Sequence, residues 1–290
     1  VSNSSKRTFK HLFKQVTSTV SRYQLLQPGD RVGVALSGGK DSYAMLVLLQ
    51  QLVRAQNLDV HLKVLHLDQG QPGYDGAPLR RWLDERGVDY EILREDTYSV
   101  VLEHTKPGST YCSVCSRLRR GALYTAMERL GLNKLALGHH RDDAIETLLL
   151  NLFYAGKLQA MPASYLTDDR RHVVIRPLIE CAEANLRELA LAEQFPILPC
   201  NLCGSQEGLK RQRIKDLLEQ LERENPHVRS IMLNAIGNVR PTHLLDQDVL
   251  AAWQARPPEV RPDPEPKPTV RHMTALPVVS ASRHLPVLAD

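Results

Sequence analysis

The sequence predicts an α/β protein, a parallel sheet with helices on both faces, and three observations carry that expectation. From Arg31 onward, short apolar runs alternate with stretches of helical period. The run Val32-Gly33-Val34-Ala35-Leu36 passes into Ser37-Gly38-Gly39-Lys40-Asp41-Ser42 and then into the apolar Tyr43–Leu49, which reads as strand, glycine turn and helix. A second apolar run, Leu135-Ala136-Leu137, ends on Gly138-His139-His140-Arg141-Asp142-Asp143 and opens another helix. Ligands of such sheets bind at the carboxyl ends of the strands, where both polar turns fall.

Taken in order, residues 4–24 predict an amphipathic helix with Phe9, Leu12, Phe13, Val16 and Val20 on one face and Lys6, Lys10 and Lys14 on another. That basic row is either a solvated face or a contact for RNA phosphates. Strand 31–36, helix 42–56, strand 61–67, helix 77–86 and strand 88–93 follow, then strand 134–138, helix 142–155, a short strand near 172–176 and helix 183–194. Helix 206–225 carries Lys210, Arg211, Arg213 and Lys215 early and Glu219, Glu222 and Glu224 late, an order opposed to the helix dipole. Either an external polyanion offsets that order or the face is solvated. The expected organisation is an N-terminal helix over 1–26, a nucleotide-binding domain over 27–200, a helical region over 201–253, and a proline-rich, disordered tail over 254–290.

At 290 residues with 42% hydrophobic content, the chain is long enough to bury a full α/β core. No run of about 18 apolar residues occurs and the N-terminus is polar and basic, so a soluble, cytoplasmic protein without a membrane partner is expected. A formal charge of +4 does not by itself announce a nucleic-acid partner. Five cysteines without an export signal read as reduced thiols and point to metal or redox chemistry rather than disulfides.

Gly38 and Gly39 let the backbone turn sharply, and the N–H groups they expose, with the helix N-terminus behind them, favour an anion. The loop is not a Walker A motif: Gly33 and Gly38 have its spacing, but Gly39 stands where the lysine belongs. It resembles instead the PP-loop of the ATP pyrophosphatases, which cleave ATP between the α- and β-phosphates and transfer AMP to a substrate oxygen. That resemblance implies an adenine nucleotide α-hydrolase-like fold and sites for ATP and Mg²⁺. Ser37, Gly38, Gly39 and Ser42 would cradle pyrophosphate, Lys40 would neutralise it and Asp41 would help hold the magnesium, Lys40 and Asp41 being the catalytic pair. The backbone around His66 would contact adenine with Asp68 close by, and Gly138, His139, Asp142 and Asp143 would line the nucleotide site. Read from the residues alone, Asp68 begins a turn, and Asp142 and Asp143 cap a helix.

Cys112-Ser113-Val114-Cys115 precedes Ser116-Arg117-Leu118-Arg119-Arg120, and Cys200-Asn201-Leu202-Cys203 precedes Gly204-Ser205-Gln206. Two such pairs suit a tetrahedral Cys₄ zinc site, yet the interval between them far exceeds the usual ~15–20 residues, and iron prefers the same thiolates. With the PP-loop and the Gly-His-His-Arg-Asp-Asp stretch, these segments resemble the tRNA 2-thiocytidine biosynthesis family across roughly residues 5–245. The resemblance implies an ATP-dependent sulfurtransferase acting on cytidine 32 of tRNA, a homodimer with a [4Fe-4S] cluster on Cys112, Cys115 and Cys203. It further implies a cysteine desulfurase or another persulfide sulfur donor as partner, while Cys200 would not be a ligand and Cys181 is a small buried apolar residue. Arg117, Arg119 and Arg120 are placed to meet phosphates of the anticodon loop, or are solvated. A PP-loop tRNA 2-thiouridine synthase, a lysidine-synthetase-like ligase and a zinc-stabilised RNA-binding module are the competing readings.

Overall fold

A computed structural model describes residues 3–104, 111–198 and 207–257. Contacts divide the chain into two compact units that meet at Gly237 and Asn238. The first holds a six-stranded sheet of order β3-β2-β1-β4-β6-β5, formed by β1 (Asp30–Ala35), β2 (Val60–Asp68), β3 (Tyr90–Arg94), β4 (Lys134–Ala136), β5 (Ser164–Leu166) and β6 (Val173–Ile175). All neighbours pair in parallel except β5, an antiparallel edge strand on β6 that the sequence reading did not anticipate. The chain moves outward from β1 to β2 and β3, then returns to β4 on the other side, so the strand order reverses at β1 and β4 and opens a crevice there.

Residues alternate between the two faces of the sheet, and both faces are buried. Val64, Ala136 and Ile175 point to a core shared with α1 (Asn3–Arg22), α2 (Lys40–Ala55), α3 (Ala77–Glu85) and α7 (Glu183–Ala192). Leu65, Leu135 and Val174 point to a second core completed by Leu123, Ala126 and Met127 of α5 (Tyr111–Leu130). Gly33 belongs to this packing: a Cβ there would stand 3.1 Å from Leu65 Cδ1 and 3.2 Å from Leu132 Cδ1. On the first face Tyr43 is wholly buried, edge-on to Trp82 at 4.9 Å and stacked on Phe195 at 5.3 Å.

The apolar stripe of α1 docks as expected, with Leu12, Val16 and Val20 buried, while Lys6, Lys10 and Lys14 are exposed. The stretch between β3 and β4 carries two helices that the sequence reading did not assign, α4 (Thr97–His104) and α5, which pack on each other. Beyond α6 (Arg141–Tyr154), α8 (Glu207–Glu224) and α9 (Val228–Ile236) pack against it, with Ile145 and Leu149 meeting Ile214 and Leu218. Lys210, Arg211 and Arg213 on the early part of α8 are exposed, as a solvated face would be, and two of the four early cations also meet an internal anion. Arg211 and Lys215 lie 3.4 and 3.9 Å from the buried Glu146 carboxylate of α6. In the second unit, a short 3₁₀ turn (Pro241–His243) precedes α10 (Gln247–Gln254), capped by Asp246. The expected tail from residue 258 onward lies outside the described residues. Among the described residues, no helix is long and apolar enough to cross a membrane.

At the amino ends of the strands a buried ion pair closes the sheet. Lys134 Nζ is 2.6 Å from Asp30 Oδ2 and donates to Leu25 O at 3.0 Å, while Asn133 Nδ2 donates to Asp30 Oδ1. Burial pushes the Asp30 carboxyl up, but the bonds from Lys134, Gln27 and Asn133 outweigh it and hold the group below its ordinary value.

Candidate nucleotide and tRNA site

At the carboxyl rim a cavity of about 440 Å³ opens between the ends of β1, β2, β4 and β6. Ser37, Gly39, Asp41 and Ser42 form one wall and Gly138, His139 and Asp143 another. Ala35, Leu65, Leu67, Leu123 and Leu137 supply an apolar surface suited to a planar base, and Ser116, Arg119 and Arg120 bring α5 to the edge.

The loop folds on its own serines. Ser37 N–H and Oγ–H both approach Ser42 Oγ at 3.2 Å, and Ser42 donates to Gly39 O at 2.8 Å. Gly38 has φ +85°, and a Cβ there would meet Leu198 Cβ at 2.9 Å, so its outer side is closed by a distant segment whose Leu198 N–H donates to Gly38 O. Gly39 caps α2 without a side chain, leaving the helix start suited to an anion. Gly138 is equally confined, since a Cβ would stand 3.2 Å from Ser42 N.

Lys40 lies outside the cavity lining. Its Nζ is 3.0 Å from Asp41 Oδ2 and 2.9 Å from Glu183 Oε1. Burial works against the ammonium, but the two carboxylates outweigh it and raise its pKa. Burial also pushes Glu183 up, yet Lys40 holds that carboxyl down at about 2. Asp41 Oδ1 is buried and has no hydrogen-bond partner among the described residues, which is the condition of a carboxylate oxygen suited to a divalent cation.

The histidines differ. His66 is buried, donates from Nδ1 to Leu36 O at 2.7 Å and accepts at Nε2 from the Tyr74 hydroxyl at 2.6 Å. Burial lowers its pKa, so it is a neutral tie between β1 and β2 rather than part of the cavity wall. Asp68 accepts from Gly70 N–H at 3.1 Å and thus begins the turn. His140 caps α6 in a reciprocal box with Asp143, at 3.4 and 3.0 Å. His139 lines the cavity, and burial with the nearby Arg176 drives its pKa down to about 4.

Asp142 turns away from the cavity. It accepts from Glu183 N–H at 2.8 Å, from Arg141 at 3.2 Å and from Arg229 at 3.0 Å, joining α6, α7 and α9. Sequence reasoning also missed Gln69, Met161, Tyr165 and Arg176 in the lining, and Glu183 beside Lys40. An acidic residue opening a helix was the one available signal for Glu183, and it serves equally for the helix dipole.

Cys115 is buried on α5, and its thiol donates to Gln69 Oε1 at 3.4 Å, which sets it against a lining residue of the cavity. Cys112 lies three residues earlier in the same helix. Cys200 and Cys203 lie outside the described residues, as does the side chain of Cys112. Cys181 is wholly buried and burial pushes its thiol up to about 12, in keeping with a packing role. Arg117 and Arg120 are exposed and Arg119 is half-buried.

A family model described as a PP-loop domain matches residues 2–198. The chain is 50% identical over 253 residues to a tRNA-cytidine(32) 2-sulfurtransferase of Coxiella burnetii (strain RSA 331 / Henzerling II), covering 87% of this chain and 98% of that one. It is 47% identical over 244 residues to tRNA-cytidine(32) 2-sulfurtransferase 1 of Francisella philomiragia, covering 84% and 95%. Among solved structures, the U34-tRNA thiolase NcsA from Methanococcus maripaludis with its [4Fe-4S] cluster superposes with a TM-score of 0.64 at 23% identity, covering 82% of this chain and 81% of that one. At that identity the likeness speaks for the shared fold.

Proposed function

This chain belongs to the tRNA-cytidine(32) 2-sulfurtransferases of the PP-loop family, and from that premise we propose that it uses ATP to replace O2 of cytidine 32 in the tRNA anticodon loop with sulfur, giving 2-thiocytidine. The observation that carries the reading is the single cavity onto which the Ser37–Ser42 loop, the start of α6 and the cysteine-bearing helix α5 converge.

O2 of cytosine is a poor leaving group, so it must first be activated. The oxygen attacks the α-phosphorus of ATP, the bond to the β-phosphate oxygen breaks, and pyrophosphate departs with the electron pair. The N–H groups at the start of α2 receive that charge, the Ser37 and Ser42 hydroxyls hold the loop in shape around it, and the apolar wall on β1 and β2 takes the adenine. Asp41, through its unpaired Oδ1, would hold Mg²⁺, which when bound screens the phosphate charge. Lys40, held charged by Glu183 and Asp41, keeps a positive group beside the loop. In the second stage sulfur bonds to C2 and AMP leaves with the oxygen.

Cys112, Cys115 and Cys203 would hold a [4Fe-4S] cluster; the buried Cys115 thiol beside the cavity and its i, i+3 partner suit soft iron ligation. With three protein ligands, a bound cluster supplies an iron position open to an external sulfur atom. A cysteine desulfurase or another persulfide donor would deliver that sulfur to a homodimer in the cytoplasm, with two electrons from external thiols, oxidised to a disulfide, bringing the sulfane sulfur to the sulfide level that bonds to C2. Arg117, Arg119 and Arg120 would meet anticodon-loop phosphates, where an unstacked base is available to a pocket.

Mass spectrometry of tRNA nucleosides from cells with and without this gene tests the reading. Selective loss of 2-thiocytidine is expected. Retained 2-thiocytidine with loss of a 2-thiouridine or of lysidine would overturn the substrate while keeping the adenylating site.

A further inference from the structure

Arg176 sits at the carboxyl end of β6, lines the cavity and is only 7% exposed. Other deeply placed cations are paired with carboxylates, Lys134 with Asp30 and Arg229 with Asp142. Among the described residues no carboxylate lies within ion-pair distance of Arg176. Its Nη1 donates to Pro162 O at 2.7 Å and its Nε donates to His139 Nδ1 at 3.2 Å. The guanidinium centre stands 5.0 Å from the Tyr165 ring centroid. These neutral partners fix the fork without neutralising it, and they do not exhaust its five N–H donors.

The bond from Arg176 Nε also settles the tautomer of His139. Nδ1 must be an acceptor, so the proton resides on Nε2, and the ring offers an N–H as its free function. Asp143, the acid lining the same stretch of wall, is engaged through Oδ2 by His140 N–H. Asp143 attracts Arg176 from beyond ion-pair distance, and a buried, rigidly held cation with no carboxylate in contact is costly unless an anion joins it.

We propose that Arg176 and the Nε2–H of His139 grip the phosphoryl group that stays with adenosine, the α-phosphoryl of ATP and later of AMP. The placement follows from the sheet order. The loop at the end of β1 is suited to the departing pyrophosphate, and Arg176 lies two strands away beyond β4. The phosphoryl that is attacked must lie between that loop and the side from which the acceptor enters. When the acceptor oxygen bonds to the α-phosphorus and pyrophosphate leaves, Arg176 transfers no proton; it holds the remaining charge in place. The inference rests on the nucleotide reading of this cavity.

Calorimetric titration of the full chain with AMP, and separately with inorganic pyrophosphate and Mg²⁺, tests it. Arg176→Gln is expected to weaken AMP by about tenfold or more and to leave pyrophosphate within about twofold, because a charge-assisted fork is lost at one phosphoryl only. Arg176→Lys, which keeps the charge and loses the fork, is expected to lie between. AMP affinity unchanged in Arg176→Gln, or AMP and pyrophosphate weakened alike in both variants, would overturn the role and return Arg176 to packing or to RNA. Nitrogen NMR of His139 in the unsubstituted protein gives a second readout: an Nε2–H ring is expected, and an Nδ1–H ring overturns the pairing. If the unsubstituted protein binds neither AMP nor pyrophosphate, the nucleotide reading itself falls and takes this role with it, an outcome distinct from a selective failure at Arg176.

Discussion

Lys40 is held by two carboxylates, and only Asp41 stands beside it in sequence; the other, Glu183, opens α7. Glu183 is held at about 2 against an ordinary 4.5, so its folded-state pKa is depressed. Its contribution to stability is therefore complete above pH 4.5 and is lost as pH falls toward about 2. Glu183→Gln should melt lower than the unsubstituted protein at pH 7, with the gap closing between those two values; a gap that persists at pH 2 would show that the pair is not its source. Asp30 and Asp142 are depressed in the same direction but are common to both proteins and cancel. Cys203→Ala should lose the cluster chromophore and thiolation while ATP binding survives; a variant that keeps the chromophore would remove Cys203 from the ligand set, and a colourless but active one would remove the cluster from the reaction. At this scale the sequence was legible where chemistry is local. Ser37, Ser42 and His139 reach the cavity because they follow strand ends, whereas Arg176 and Glu183 acquire meaning only from neighbours that the sheet brings to them.

The glycines act at the scale of the element. Gly29, between α1 and β1, and Gly38, between β1 and α2, have nearly equal φ values of +83° and +85°, but only Gly38 has an atom waiting where a Cβ would stand. Gly29→Ala should cost about 1–2 kcal/mol of backbone strain and leave nucleotide binding intact. Gly38→Ala should add displacement of Leu198 to a similar strain and weaken ATP binding as well. Urea denaturation alongside nucleotide titration separates the two, and equal ATP affinities would show that the loop tolerates the shift. The strands and helices around the two polar turns were readable because apolar runs and turn residues are contiguous there. The helix α5 was not, since Arg117, Arg119 and Arg120 interrupt its apolar positions and its cysteine pair reads as a metal loop. The edge strand β5 has three residues and takes its conformation from β6, which leaves too short a pattern to recognise.

Across the whole molecule a formal charge of +4 is too small to bind RNA by bulk attraction, so affinity must come from where the cations sit. Arg117 is exposed on α5 and does not line the cavity, while Arg119 and Arg120 do. Arg117→Ala should lower the slope of log affinity for tRNA against log salt by about 0.7, the share of one single-stranded phosphate contact, with ATP binding unchanged. An unchanged slope would take Arg117 out of the RNA surface. The sheet order has a different consequence during synthesis. The phosphate loop belongs to an early part of the chain, but its outer wall does not: Tyr43 donates its hydroxyl to Pro196 O across 153 residues of sequence, and Leu198 closes over Gly38. A chain still emerging from the ribosome carries the loop without its wall, and pairing of β1 with β4 awaits the distant segment. The nucleotide loop is therefore complete only late in translation, once the segment around residues 196–198 has emerged.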